Sequence, residues 1–143
     1  PFEVDTQGWT LLHHACAASQ HRRGMREVVC GLLNVLDQGQ VNQKTRGGTP
    51  MGWSALSLLC GCRDAANERQ IIILDLLSAG ADVNCTIPSG STPLMSACSS
   101  GFWSAAQGLH EHNCDLHHTN CRGKNALDGT PADQLKARTI LWL

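Results

Sequence analysis

The chain has no long apolar run and no strong excess of charge of either sign. Its longest apolar runs, such as Ile71–Leu74, are far shorter than the ~20 residues that an α-helix needs to span a bilayer. The formal net charge of the 143 residues is −1, and the two halves of the chain differ little in their balance of acids and bases. We therefore expect neither a membrane partner nor a nucleic-acid partner.

Catalytic motifs are also missing. The sequence contains no Gly-rich phosphate loop, no HExxH zinc motif and no G-x-S-x-G nucleophile elbow. Serine, histidine and aspartate are all present, but no spacing places a nucleophile beside an oriented base. We therefore expect a protein that is not an enzyme and that uses no cofactor.

The first residues include neither an initiator methionine nor a secretory signal. We expect a piece of a longer chain that stays inside the cell, in the cytoplasm or the nucleus. Eight cysteines would allow a disulfide framework, but a chain of this length can bury a core without one. Apolar residues make up 42% of the chain and charged residues 16%, which is typical of one folded, soluble domain over residues 1–143.

What the sequence does contain is a repeated nonamer. It occurs three times, as GWTLLHHAC, GWSALSLLC and GSTPLMSAC, and once in the shorter form GKNALD. The four copies begin at Gly8, Gly52, Gly90 and Gly123. Their spacings of 44, 38 and 33 residues indicate one structural unit with loop insertions in the longer copies.

A second apolar segment follows each of the first three nonamers. These segments lie within residues 28–36, 71–77 and 103–109. Their apolar residues recur every three or four positions, which predicts helices with one buried stripe. Gly39, Gly80 and Asn113 follow the three segments, at the place where a helix commonly ends in a left-handed residue.

The nonamer GSTPLMSAC and the segment SAGADVN at 78–84 resemble the ankyrin repeat. The pattern of that family is G-x-T-P-L-H-x-A, two helices, and then L-L-x-x-G-A-D-V-N. The resemblance covers residues 5 to about 128 and implies an all-α solenoid of stacked helix-turn-helix units with β-turn fingers. It implies about four repeats, at about 5–44, 45–86, 87–119 and 120–143, the last one a degenerate cap.

Individual copies depart from the ankyrin pattern. The family's Thr and His bond across the start of the first helix, and Ser57 and Met95 stand where copies two and three would have that His. The resemblance therefore implies that these two copies lose part of the bonding. Cys16, Cys60 and Cys98 occupy equivalent positions in the nonamers, and we expect them to form a buried column, since free cysteine packs like a small apolar residue.

The function that the resemblance implies is non-catalytic binding of another protein or a peptide, by a monomer, on a concave groove and finger loops. The alternative is a regulatory or structural spacer domain of a larger signalling or channel protein, packing against its own chain. The predicted partner-binding residues are Trp9, His14, Lys44, Arg46, Trp53, Leu58, Ser91, Ser96 and Ser100.

Two features of this set have alternative explanations. Trp9 and Trp53 occupy equivalent positions in neighbouring copies and are typical binding anchors, but both indoles could instead fold over the next loop and stabilise it. Lys44 and Arg46 make the loop of residues 42–52 basic, and functional loops often look like this. A tolerated insertion explains the same loop, because lengthening a surface loop costs little entropy.

Two further hypotheses concern metal binding and modification. Six candidate zinc ligands lie within twelve residues: His110, His112, Cys114, His117, His118 and Cys121. Their spacing matches no known zinc module, so we expect no metal site. Asn84 resembles the asparagine that is hydroxylated in many ankyrin repeats, whereas the simpler explanation is that its side chain bonds within the loop.

Overall fold

The computed structural model describes residues 4–19, 22–47, 51–61 and 67–128. Within these ranges all regular structure is helical, which confirms the predicted all-α class. The seven helices are α1 (Leu11–Ala18), α2 (Met25–Leu33), α3 (Gln38–Val41), α4 (Ala55–Cys60), α5 (Asn67–Ser78), α6 (Pro93–Ser100) and α7 (Trp103–Glu111). None of these helices is both long and apolar enough to cross a membrane. Residues 129–143, which hold most of the predicted fourth repeat, lie outside the described part of the chain.

The helices pack in two rows. Helix α4 packs between α1 and α6 in the first row, and α5 packs between α2 and α7 in the second. The rows are joined because α1 packs on α2, α4 on α5 and α6 on α7. Each pair therefore covers the apolar side of the next, as expected when one helix pair cannot bury its own apolar surface.

The first helix of each pair begins at a hydroxyl residue. The side-chain oxygens of Thr10, Ser54 and Thr92 accept the N–H of the residue three positions later, at 3.3, 3.2 and 3.4 Å. These bonds satisfy donors that have no partner inside the helix. The hydroxyl residue of the repeated nonamer is therefore the N-cap in all three copies.

The predicted loss of bonding in copies two and three is confirmed in one copy only. In copy one the N–H of Thr10 donates to His13 Nδ1 at 3.0 Å. Copy two has no such reverse bond; the Ser57 hydroxyl lies 3.1 Å from that of Ser54, and Cys85 Sγ is within 3.4 Å of both. Copy three keeps the reverse bond, because the thioether of Met95 accepts the N–H of its cap residue at 3.4 Å.

A turn with one bonding pattern precedes each of α1, α4 and α6, and recurs at residues 120–124 of copy four. In each turn the N–H of the first turn residue donates to the carbonyl oxygen of the last turn residue at 2.9–3.1 Å. The N–H of the repeated glycine donates to the carbonyl oxygen of the first turn residue at 2.8–3.0 Å. We call these turns fingers 1 to 4, and they span residues 5–9, 45–53, 87–91 and 120–124. Finger 2 is four residues longer than the others, and its residues 48–50 are not described.

The repeated glycines bring successive fingers into contact. Gly8, Gly52, Gly90 and Gly123 all have φ between 72 and 79°, a conformation that side chains disfavour. A Cβ at Gly8 would lie 2.8 Å from backbone atoms of finger 2, and one at Gly90 would lie 3.1 Å from the N of Cys121 in finger 4. Gly8 and Gly90 are therefore needed both for the turn and for the close approach.

The core is one cluster shared by all three helix pairs. Cys16, Cys60 and Cys98 belong to it and are at most 1% exposed, which confirms that the recurring cysteine is a buried packing residue. The seven cysteines within the described ranges are all free thiols.

Predictions for the ends of the second helices were right twice and wrong once. Gly80 and Asn113 have φ of 93 and 60°, as predicted for left-handed helix ends. Gly39 instead lies inside α3, because Asp37 caps a further helical turn by accepting the N–H of Gln40 at 2.8 Å. Gln40 Oε1 accepts the N–H of Asp37 in return, at 2.9 Å, so the two residues form a capping box.

Candidate functional site

An open cavity of about 390 Å³ lies between the first row of helices and the fingers. Four of the predicted partner-binding residues line it: Trp53, Ser91, Ser96 and Ser100. The other described lining residues are Gly61, Ile87, Met95, Ser99, Asn120, Lys124 and Asn125. We call this cavity the groove; it combines residues of copies two, three and four.

Trp53 forms one wall of the groove. Finger 2 holds its backbone, since the N–H of Trp53 donates to Thr45 Oγ1 at 3.1 Å and its carbonyl accepts the N–H of Thr45 at 2.9 Å. The half-buried indole lies against Gly61 at the end of α4, where a Cβ would come within 3.3 Å of the ring. The ring therefore packs on its own helix while it lines the groove.

Three serines of α6 form the side of the groove. Ser96, Ser99 and Ser100 are three and four positions apart, so they lie on one face of the helix. Ser99 is exposed and the other two are half-buried. Their hydroxyls make no hydrogen bond to any described residue, although serine in a helix can bond a carbonyl of the preceding turn. Three hydroxyl groups are therefore available to a bound molecule.

Finger 4 closes the groove at its other end. Asn120 shapes this finger, because its Oδ1 accepts the N–H groups of Arg122 and Lys124 at 2.9 and 3.1 Å. Its Nδ2 donates to Ser91 Oγ at 3.4 Å, which ties finger 4 to finger 3. His118 Nε2 lies 2.8 Å from the carbonyl oxygen of Gly90 and strengthens the same connection.

Lys124 is the only charged residue among the described groove residues, and it was not in the predicted set. It is exposed and forms no ion pair within the described part of the chain. A sequence signal for it exists, since Lys124 directly follows the repeated glycine, as Trp9, Trp53 and Ser91 do. Ile87 and Asn125 have no comparable signal, and only the fold brings them to the groove.

Trp9 and His14 lie together elsewhere, on finger 1 and α1. Their ring centroids are 5.2 Å apart, and His14 Nε2 is 2.7 Å from Asp5 Oδ2. The carboxylate also accepts the N–H of Gln7 and of Trp9, each at 2.9 Å. The hydrogen bonds from the Trp9 backbone and the His14 ring lower the pKa of Asp5. Neither ring lines the groove, so the structure separates them from the other predicted residues.

Lys44 connects two fingers. Its Nζ donates to the carbonyl oxygen of Thr86 at 2.6 Å, which joins the segment before finger 2 to the segment before finger 3. Arg46 is exposed at the beginning of finger 2. Both cations are on the finger side of the molecule, as predicted, but the described groove lining includes neither.

Leu58 does not belong to the groove surface. It lies in the middle of α4 and is 8% exposed. Helix α4 is packed between α1 and α6 and also contacts α5, so little of its surface is left for a partner. The prediction that Leu58 contacts a partner is therefore corrected: its side chain is buried.

The six candidate zinc ligands do not form a ligand set. Within the described ranges, no group of three or more His, Cys, Asp or Glu residues is arranged to hold a metal ion. His112 Nδ1 is 2.9 Å from the carbonyl oxygen of Gly108, and His118 bonds finger 3. Cys114 is 8% exposed, and burial raises the pKa of its thiol to about 11.

Asn84 bonds between neighbouring loops. It is exposed, and its Oδ1 accepts the N–H of Asp115 at 2.7 Å. Asn42 does the same one copy earlier, accepting the N–H of Asp82 at 2.6 Å. The bond that the sequence predicted within the loop is thus made to the next copy, and modification of Asn84 stays a hypothesis.

A comparison with models of known protein families and one with curated proteins found no match for this chain. Functional inference therefore depends on the residues and their geometry.

Proposed function

We propose that this chain is a non-catalytic, ankyrin-type interaction domain that binds a protein or peptide in the groove. The resemblance of the nonamers to the ankyrin repeat supports this function. Further support comes from the two rows of helices and from the turn that recurs before each first helix. Stacked repeats of this kind expose an extended surface on which binding residues vary while the core stays constant.

The observation that carries the proposal is the convergence of three copies on one cavity. Trp53 comes from copy two, Ser96 and Ser100 from copy three, and Lys124 from copy four. The volume of about 390 Å³ is within the range of about 300–1,000 Å³ that is usual for binding pockets. A half-buried Trp beside unpaired hydroxyls offers both an apolar anchor and hydrogen bonds.

The groove lining supports binding better than catalysis. Its described residues include no histidine, cysteine, aspartate or glutamate. The described lining therefore offers the serines no imidazole or carboxylate base that could activate them as nucleophiles. The fold supplies hydroxyls, amides and one ammonium group, which are groups that recognise a ligand without changing it.

We place this function inside the cell. The seven free thiols of the described ranges support this location, because cysteines stay reduced in the cytosol and nucleus.

The test is to block the groove by one bulky substitution. Peptides selected from a random library against the wild-type domain should bind Ser99→Trp at least about tenfold more weakly, since Ser99 is exposed and lines the groove. Gln107→Trp is the matched control, because Gln107 is exposed on α7 in the other row of helices. Affinities are measured by fluorescence anisotropy, and circular dichroism verifies the fold of each variant. Equal binding by both variants and the wild type would contradict the proposal.

A further inference from the structure

We infer that the groove selects peptide segments that carry a carboxylate side chain next to an apolar one. This inference rests on the proposed function and concerns the chemistry of the partner. It is argued from the distribution of charge on the finger side, from the hydrogen-bonding groups of the groove and from its apolar part.

Fingers 2, 3 and 4 carry positive charge without negative charge, whereas finger 1 contains Asp5 and the carboxylate of Asp128 accepts the N–H of Asn125 at 2.9 Å. The chain has 12 acidic residues and a net charge of −1. None of the 12 falls in residues 42–53, 83–92 or 116–127, which are the segments that carry fingers 2, 3 and 4. The same segments contain four cations: Lys44, Arg46, Arg122 and Lys124. A nearly neutral protein therefore presents a positive rim beside its cavity, which attracts an anionic partner and repels a cationic one.

Inside the groove several hydrogen-bond donors have no partner among the described residues. The ammonium group of Lys124 has no anionic partner among the described residues. Asn125 uses its Oδ1 to accept the N–H of Asp128 at 3.1 Å, which leaves its amide N–H groups available. The three hydroxyls of α6 can donate as well. A carboxylate, which only accepts hydrogen bonds, matches this set.

The groove also has an apolar part, formed by Trp53, Ile87 and Met95. Trp53 and Ile87 are both half-buried, so each ring or alkyl group keeps an open side. Met95 is 7% exposed and also lines the cavity. A ligand that reached Lys124 with a carboxylate would place its neighbouring residue beside this apolar part, where an apolar side chain loses contact with water.

A carboxylate fits better than a phosphate. Phosphate recognition typically uses clusters of arginine with bidentate geometry, whereas the one cation of the described lining is a lysine. Arg122, the nearest arginine along the chain, is not among the described lining residues. The proposed ligand is therefore an Asp or Glu side chain of an extended segment rather than a phosphorylated residue.

The experiment compares pools of short degenerate peptides that differ in one fixed residue. The residue is Glu, Gln, Lys or phosphoserine, followed in every pool by a fixed Leu, and binding is measured by fluorescence anisotropy. We expect the Glu pool to bind about tenfold more tightly than the Gln pool and the Lys pool to bind most weakly. Lys124→Glu should remove this order and favour the Lys pool. Arg122→Glu makes the same charge change two residues away; it should weaken the preference for the Glu pool through the charge of the rim but keep the order, because Arg122 is not among the described lining residues.

The outcomes separate this inference from the proposed function. Equal binding of the Glu, Gln and Lys pools that is lost in Ser99→Trp would leave the groove as the binding site and overturn its preference for a carboxylate. Tightest binding by the phosphoserine pool would overturn the choice of carboxylate over phosphate. Loss of the Glu preference in Arg122→Glu, but not in Lys124→Glu, would overturn the role of Lys124. No binding by any pool would overturn both proposals.

Discussion

Replacing Gly8 with alanine tests whether successive fingers are in contact. The φ of Gly8 is 78°, and a Cβ there would lie 2.8 Å from the N and Cβ of Arg46 and from the N of Gly47. Two of these atoms are backbone, so the clash is relieved only if finger 1 moves away from finger 2. Gly123 has nearly the same φ, 72°, but a Cβ there would meet no atom of the described residues within 4 Å. Comparing alanine at Gly8 with alanine at Gly123 therefore separates the loss of stability caused by the turn conformation from the loss caused by the contact between fingers.

The expected losses in stability follow from these two geometries. Alanine in a left-handed conformation costs about 1–2 kcal/mol at either position. At Gly8 the forced overpacking adds about 1–3 kcal/mol. We expect Gly8→Ala to lower the free energy of unfolding by about 2–5 kcal/mol and Gly123→Ala by about 1–2 kcal/mol.

The assay is equilibrium urea unfolding followed by far-UV circular dichroism. The free energy of unfolding must depend on urea concentration with a similar slope in all variants, so that their stabilities can be compared. Gly52→Ala provides an intermediate case, because its Cβ would lie 2.9 Å from Cγ of the Pro88 ring rather than from backbone. Equal losses for Gly8→Ala and Gly123→Ala would refute the reasoning, since the fingers would then not be in contact.

Three further predictions concern titration, loop bonding and thiol reactivity. Burial lowers the pKa of His13. Neutral His13 therefore stabilises the fold above the unfolded-state pKa of about 6.5, and this stabilisation is lost as the pH falls below that value. Between about pH 7 and about pH 5, the free energy of unfolding measured in urea should fall less in His13→Gln than in the wild type. Asn42→Ala should lower the free energy of unfolding by about 2–3 kcal/mol and Asn84→Ala by about 1 kcal/mol, because the Asn42 side chain makes three hydrogen bonds and that of Asn84 makes one. Iodoacetamide should modify exposed Cys121 in the folded protein but not Cys98, whose pKa burial raises to about 12; peptide mass spectrometry measures both.

Each of these predictions has an opposing result. A pH dependence that His13→Gln leaves unchanged would show that other groups cause it. Similar losses for the two asparagine variants would mean that the bonds of Asn42 add nothing to the one that both residues make to the next loop. Rapid modification of Cys98 would contradict its place in the core.

Local features of the structure could be predicted where a short stretch of chain controls them. The left-handed conformation of Gly80 and Asn113 depends on how a helix ends, and the caps at Thr10 and Thr92 depend on residues three positions apart. The error at Gly39 has the same local origin, because the capping box that begins at residue 37 was a readable signal that the periodicity argument did not consider.

The candidate site was predictable only in part. The repeat register led to Trp53, Ser96 and Ser100, because equivalent positions in stacked units point to the same side of the molecule. Leu58 satisfied the same register but is buried, since α4 has neighbours in both rows of helices. Lys124 has the same sequence signal as Trp53 and Ser91, since it follows the repeated glycine, but only the bonds that hold finger 4 against finger 3 bring it to the groove.

The sequence by itself determined the helical class, the periodic turns and the buried cysteine positions, since each depends on a pattern within one copy. Only the tertiary structure decided which side chains share the groove, and that Trp53 lines it whereas Trp9 does not. Those relations depend on contacts between residues from different copies, which are far apart along the chain. Packing between copies, and not the pattern within a copy, therefore decides which surface a partner would meet.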